Sequence, residues 1–249
     1  QPRSRGLGDV YKRQARILSG IKSFFHFLTV ADYLETDPSE LLEGPKIGFK
    51  IPEVLTVEEI DRIISAVDMD KKEGQRNRAI LETLYSCGLR VSELCNLKLS
   101  DLYFEEGFIK VEGKGSKQRL VPISPRAIKE IKYWLTDRNL GKIKKGYEDY
   151  VFLARWGNNI SRIMVFHMIK ELAEKTGITK NISPHTFRHS FATHLLEGGA
   201  NLRAIQCMLG HESIATTEIY THIDRNMLRS EIIEHHPRNI KYRKERGIY

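Results

Sequence analysis

Apolar residues recur along the chain at two periods, and the change between them divides it. Ile17, Leu18, Ile21, Phe24, Phe25 and Leu28 are spaced by steps of mostly three and four, which predicts a helix over Ala15–Leu34 with one apolar face. Asp37-Pro38 interrupts that pattern, and Gly44, Pro45, Gly48 and Pro52 mark Leu42 to Pro52 as an interdomain linker. Beyond it, Thr56 and Glu59 form a capping box in which each side chain can satisfy an amide left open at a helix start. A helix to about Val67 follows. A second is expected over Arg76–Cys87 with Gly88 as its stop, and a short third over Val91–Leu97.

The period then shortens to two. Phe108-Ile109-Lys110-Val111 and Arg119-Leu120-Val121-Pro122 read as strands joined through Gly113-Lys114-Gly115-Ser116-Lys117, so a β-hairpin carries lysines at its tip. Ser124-Pro125 opens a further helix to about Leu140, capped by the serine with proline in its first turn. Helical spacing continues over Ser161–Thr176, Pro184–Glu197, Leu202–Leu209, Ser213–Thr221 and Arg225–His235. The sequence has no internal repeat. Its fold class is mainly α (α+β), helical with a small antiparallel β-hairpin.

Composition narrows the picture. The 249 residues are 41% hydrophobic and 29% charged, enough for one large or two ordinary globular domains and unlike a disordered or collagen-like chain. The longest uncharged stretch near the start, Ser23 to Ala31, is far short of the ~18–20 apolar residues of a membrane span. Arg3, Arg5, Lys12 and Arg13 lead into no apolar run of the kind a secretory leader needs, so a cytoplasmic protein without a membrane partner is expected. Three cysteines, an odd number, argue against a disulfide framework. Cys87 and Cys95 are read as reduced, buried thiols.

Net charge is +8, and it is uneven. Lys110 to Asp149 holds 11 Lys and Arg against 5 Asp and Glu, and His235 to Tyr249 holds 5 against 1. Such surpluses suit a polyanion such as nucleic acid, and equally a solvated surface with a basic tail.

The candidate chemistry lies at a few positions. His185 and Arg188 are three apart in the first turns of the helix opened by Ser183-Pro184. A guanidinium offers a planar fork to phosphate oxygens, and a neighbouring imidazole can donate a hydrogen bond or move a proton, while in isolation the pair reads as solvated polar residues of a capped helix. His185 and His189 also have zinc spacing, but Thr-Phe-Arg between them supplies no general base and places a cation beside any metal. No metal is expected. Arg90 begins a helix whose first amides would also favour an anion, though taken alone it reads as one half of a surface ion pair. Tyr220, nine residues after His211, is either a core residue or, if cations lower its pKa, a phenol able to attack phosphorus.

Taken in order, Arg90, Lys114, His185, Arg188, His211 and Tyr220 resemble the catalytic signature of the tyrosine site-specific recombinases, the phage integrase family. The surrounding strings are similar too: Thr83 to Leu94 around Gly88-Leu89-Arg90, Gly113 to Arg119, Ser183 to His194, Leu209-Gly210-His211 and Ile219-Tyr220-Thr221-His222. The likeness runs from about Ala15 onward and is to the Xer branch, whose ending His235-His236-Pro237-Arg238 also resembles.

The resemblance implies that Tyr220 attacks the scissile phosphate to give a 3′-phosphotyrosyl link. Arg90 and Arg188 would hold the non-bridging oxygens, and His185 and His211 would hydrogen-bond the phosphate or assist proton transfer. Lys114 would be general acid to the leaving 5′ oxygen, and Glu93 would orient the pocket or form an ordinary surface pair. Lys117 and Arg119 would be DNA contacts. No cofactor is implied. The implied partners are a double-stranded recombination site, further recombinase protomers in a homo- or hetero-tetramer, and an FtsK-like translocase. An integrase of a mobile element and a non-catalytic DNA-binding regulator are the rival readings. In domain terms, residues 1–50 would be part of a SAM-like helical core-binding domain, with 1–14 matching nothing in the family pattern, and residues 51–249 the catalytic domain.

Overall fold

The computed structural model describes residues 7–45, 53–210 and 222–246. Two compact units result, Gln1–Ile51 and Pro52–Tyr249.

In the first unit, α1 spans Leu7–Val30, so it starts and ends earlier than the apolar spacing predicts. Its end is set by Asp32, which turns into the left-handed region at φ 57°. Tyr33 and Leu34, expected inside the helix, instead both donate their amides to the Leu28 carbonyl, at 2.9 and 3.3 Å. Of the apolar stripe, Leu18, Phe25 and Leu28 are half-buried while Ile17, Ile21 and Phe24 are exposed. Asp37 accepts hydrogen bonds from both the amide and the hydroxyl of Ser39.

The second unit is built around one helix. After α2 (Val57–Ser65), whose Thr56–Glu59 capping box forms as expected, α3 spans Gly74–Cys87. From Ala79 to Cys87 every residue of α3 is buried, because α5 (Pro125–Leu140) and α7 (Pro184–Glu197) cover it along with other elements. A helix enclosed in this way needs no single apolar stripe, and Glu82, Thr83 and Ser86 lie inside with Leu81 and Leu84. Gly88 ends α3 at φ 57°, and a Cβ added there would lie 2.3 Å from Phe191 Cδ1, so only glycine fits both the turn and the approach of α7. α4 follows at Val91–Cys95.

The sheet is antiparallel in the order β1-β2-β3, with β1 at Leu102–Tyr103, β2 at Phe108–Glu112 and β3 at Gln118–Pro122. β2 and β3 are the expected hairpin. β1 is too short to show a period. α6 (Arg162–Lys175), capped by Ser161, and α8 (Leu202–Leu209), capped by Asn201, complete the frame with α9 (His222–His235). A last helix, α10 at Pro237–Arg246, was not expected from the pattern. Its mean composition is strongly polar, and it is anchored by Arg238, which is buried over the Tyr85 ring and ion-paired with Glu82 and Asp61. The helix expected over Ser213–Thr221 lies outside the described residues.

Cys87 and Cys95 are buried free thiols, and burial pushes the Cys95 thiol up to about 11. Among the described residues no helix is long and apolar enough to cross a membrane.

Candidate active site

The end of α8 meets the end of α3 through arginines. Three guanidinium groups take three consecutive carbonyls. Arg119 Nε donates to the Met208 carbonyl at 2.8 Å, Arg188 to that of Leu209 at 2.6 Å, and Arg90 to that of Gly210 at 3.3 Å. The last carbonyls of a helix have no partner within it and carry partial negative charge, so cations are the natural groups to receive them. The other arm of Arg188 donates to the Gly88 carbonyl at 2.7 Å, so that one side chain joins the stop of α3 to the stop of α8.

Glu93 sits at the centre. Its carboxylate accepts from Arg90 Nη1 at 2.8 Å and from both terminal nitrogens of Arg119 at 2.7 and 2.9 Å, and it lies 4.0 Å from Arg188. Burial alone would raise its pKa, but the hydrogen bonds and charge of Arg119, with those of Arg90, outweigh this and hold it below the usual carboxylate range. Burial, and then the neighbouring Arg90, lower the Arg188 pKa to about 10, which still leaves it protonated at neutral pH. Three cations thus face one anion, and the pocket keeps two positive charges. A phosphodiester carries one negative charge.

The predicted residues are distributed as follows. Arg90 caps α4 with its side chain 36% exposed, open to an incoming anion, whereas the Arg188 side chain is 10% exposed and sits beneath. The amide expected to favour an outside anion at Arg90 is instead taken by Glu93 at 2.8 Å. His185 is exposed on the first turn of α7, as is His189 one turn later, and among the described residues no further ligand groups with them. Lys114 begins a short 3-10 turn, Lys114–Ser116, at the tip of the β2–β3 hairpin, and Lys117 next to that turn is exposed. His211 and Tyr220 lie outside the described residues. Arg90 and Arg188 are therefore the predicted pair that the fold joins.

Arg119 is placed differently from expectation. Rather than a surface contact for DNA, it is buried, with its side chain 7% exposed and its donors turned to Glu93 and Met208. The sequence did carry the signal. On β3 Arg119 falls two residues from Val121, on the face that alternation sends inward. Glu93 belongs to this buried cluster and forms no surface pair.

A helical unit around α3 with a small three-stranded antiparallel sheet has tyrosine recombinases as its structural neighbours. Residues 53–227 match the phage integrase family, and the chain belongs to that family of enzymes, which cut and rejoin DNA. It is 43% identical over 231 residues, 93% of this chain and 78% of the relative, to the tyrosine recombinase XerD of Staphylococcus saprophyticus subsp. saprophyticus. Among solved structures, the XerA recombinase is 32% identical with a TM-score of 0.60, covering 88% of this chain and 84% of that one. The XerH site-specific recombinase bound to palindromic difH substrate, in a post-cleavage complex, is 29% identical with a TM-score of 0.61, covering 78% and 56%.

Proposed function

We propose that this chain is a site-specific recombinase of Xer type that cuts and rejoins duplex DNA through Tyr220, resolving joined chromosomes in the cytoplasm. The observation that carries the reading is the arginine pocket: Arg90 and Arg188, joined through the ends of α3 and α8, keep net positive charge beside Gly210, the residue before His211.

In this mechanism Arg90 and Arg188 hold the two non-bridging oxygens and stabilise the charge that grows on them in the pentavalent transition state. The Tyr220 oxygen forms a bond to phosphorus as the bond to the 5′ oxygen breaks. His185 or His211 takes the phenolic proton, and Lys114 gives one to the departing 5′ oxygen. One phosphoester replaces another, so the later attack of a 5′-hydroxyl on the phosphotyrosyl link rejoins a strand with no water consumed and no nucleotide required. Rejoining to a partner strand needs four protomers across two sites, of one or two kinds of recombinase, and a translocase of FtsK type would bring the sites together. The unit containing α1 is read as part of a core-binding domain that grips the duplex.

The test is covalent capture on nicked duplexes drawn from a random-sequence pool selected by this protein. A nick beside the cleavage point lets the 5′-hydroxyl fragment leave and traps the adduct. The wild-type chain is expected to form an adduct that survives denaturation. Tyr220→Phe is expected to form none while retaining DNA affinity, since it removes an oxygen and no positive charge. Adduct in Tyr220→Phe, or none in the wild type, overturns the reading.

A further inference from the structure

We infer that Arg119 is a positioning residue for the cleavage step, holding Glu93 and the end of α8 so that the charges of Arg90 and Arg188 stay available to the phosphate. The inference rests on the reading of the pocket just given. Its starting point is that every side of the Arg119 guanidinium meets a part of the site. Two nitrogens grip both oxygens of Glu93 at 2.7 and 2.9 Å, and the third donates to Met208 at 2.8 Å. Gly113, the residue before Lys114 on the hairpin, lies near the same pair: a Cβ there would be 3.7 Å from Arg119 Nη1 and 3.8 Å from Glu93 Oε1. On the other side, a Cβ at Gly210 would lie 3.1 Å from Arg119 Cδ. One buried side chain therefore holds both the partner of Arg90 and the last turn of α8, with Gly113 on one side of it and Gly210 on the other.

Charge explains why an arginine stands there. Glu93 fixes Arg90 by accepting from both its amide and its guanidinium, and a carboxylate so close also cancels part of the charge needed for phosphate. Arg119 offsets it from behind. Without Arg119 the pocket holds two cations and one anion, and the whole carboxylate charge falls on Arg90 and on Arg188, 4.0 Å away. Lysine cannot replace this fork, since one ammonium does not span both Glu93 oxygens and reach the Met208 carbonyl in a fixed plane.

The test is single-turnover adduct formation on the nicked duplex, with rate followed against DNA concentration for Arg119→Met, Arg119→Lys, Glu93→Gln and Arg119→Met/Glu93→Gln, each first shown by thermal unfolding to be folded at the assay temperature. Arg119→Met is expected to lower the maximal rate about 100-fold while the half-saturating DNA concentration moves less than about threefold. Adding Glu93→Gln is expected to recover about tenfold, because it restores two net positive charges. Arg119→Lys is expected to be about tenfold slower than wild type. A double variant no faster than Arg119→Met, or a loss seen only in the half-saturating concentration, overturns the inference. Should Arg119→Met not fold, Arg119→Lys decides alone, and a wild-type rate there overturns it. Wild-type adduct must form in every case, so its absence defeats the recombinase reading and not the role of Arg119.

Discussion

Arg188 donates to the carbonyl of Leu209 across 2.6 Å, and through this bond the end of α8 is held by the residue proposed to clamp the phosphate. The same guanidinium bonds the Gly88 carbonyl, so its plane is fixed from two directions before any DNA arrives. Preorganisation of this kind spares the site from rearranging when charge develops.

Arg188→Lys should therefore damage both catalysis and packing. One ammonium cannot reach two carbonyls and also offer a planar fork of donors to phosphate. The expected adduct rate is lower by about 100-fold or more, with stability reduced by about 1–3 kcal/mol. Single-turnover capture and denaturant unfolding measure the two effects separately, and wild-type cleavage would contradict the clamp role.

Gly88→Ala tests the stop of α3. The new Cβ would enter the Phe191 ring at 2.3 Å and would sit on a backbone at φ 57°. A loss of about 2–4 kcal/mol is expected, seen as a fall in Tm. Phe191→Leu in the same chain should return part of it by freeing space, leaving the backbone strain.

His236 gives a prediction about acid. It is fully buried, with Nε2 against the Tyr85 carbonyl and Nδ1 accepting the Arg238 amide, both at 3.2 Å, so a second ring proton would face an N–H. Burial lowers its pKa from 6.5 to about 3. Between these values the unfolded chain takes up a proton that the folded chain refuses. The contribution is therefore present above pH 6.5 and is lost as pH falls toward about 3. His236→Gln should flatten that limb in urea melts taken from pH 7 to 4, and an unchanged slope would contradict the assignment.

Cleavage should proceed in EDTA and without ATP, because the proposed mechanism draws its cations at the phosphate from Arg90 and Arg188. Adduct formation that depends strictly on added Mg²⁺ would count against the mechanism.

Most helices of the second unit were legible in the sequence, since capping residues and turn glycines act locally. Thr56 with Glu59, Ser161, Asn201 and Gly88 set their helix ends through contacts within a few residues. Arg90 and Arg188 were linked in the sequence by the resemblance of their ordered set to a family signature. Tertiary structure alone decided what those arginines touch. The Met208, Leu209 and Gly210 carbonyls are left open by the end of one helix and met by Arg119 from a strand, Arg90 from the start of α4 and Arg188 from α7, between 21 and 120 positions away in sequence. It also decided that Arg119 faces inward and that polar α10 docks through one buried arginine. Local pattern cannot report these outcomes, because a buried charge is tolerable only where the fold brings it a partner.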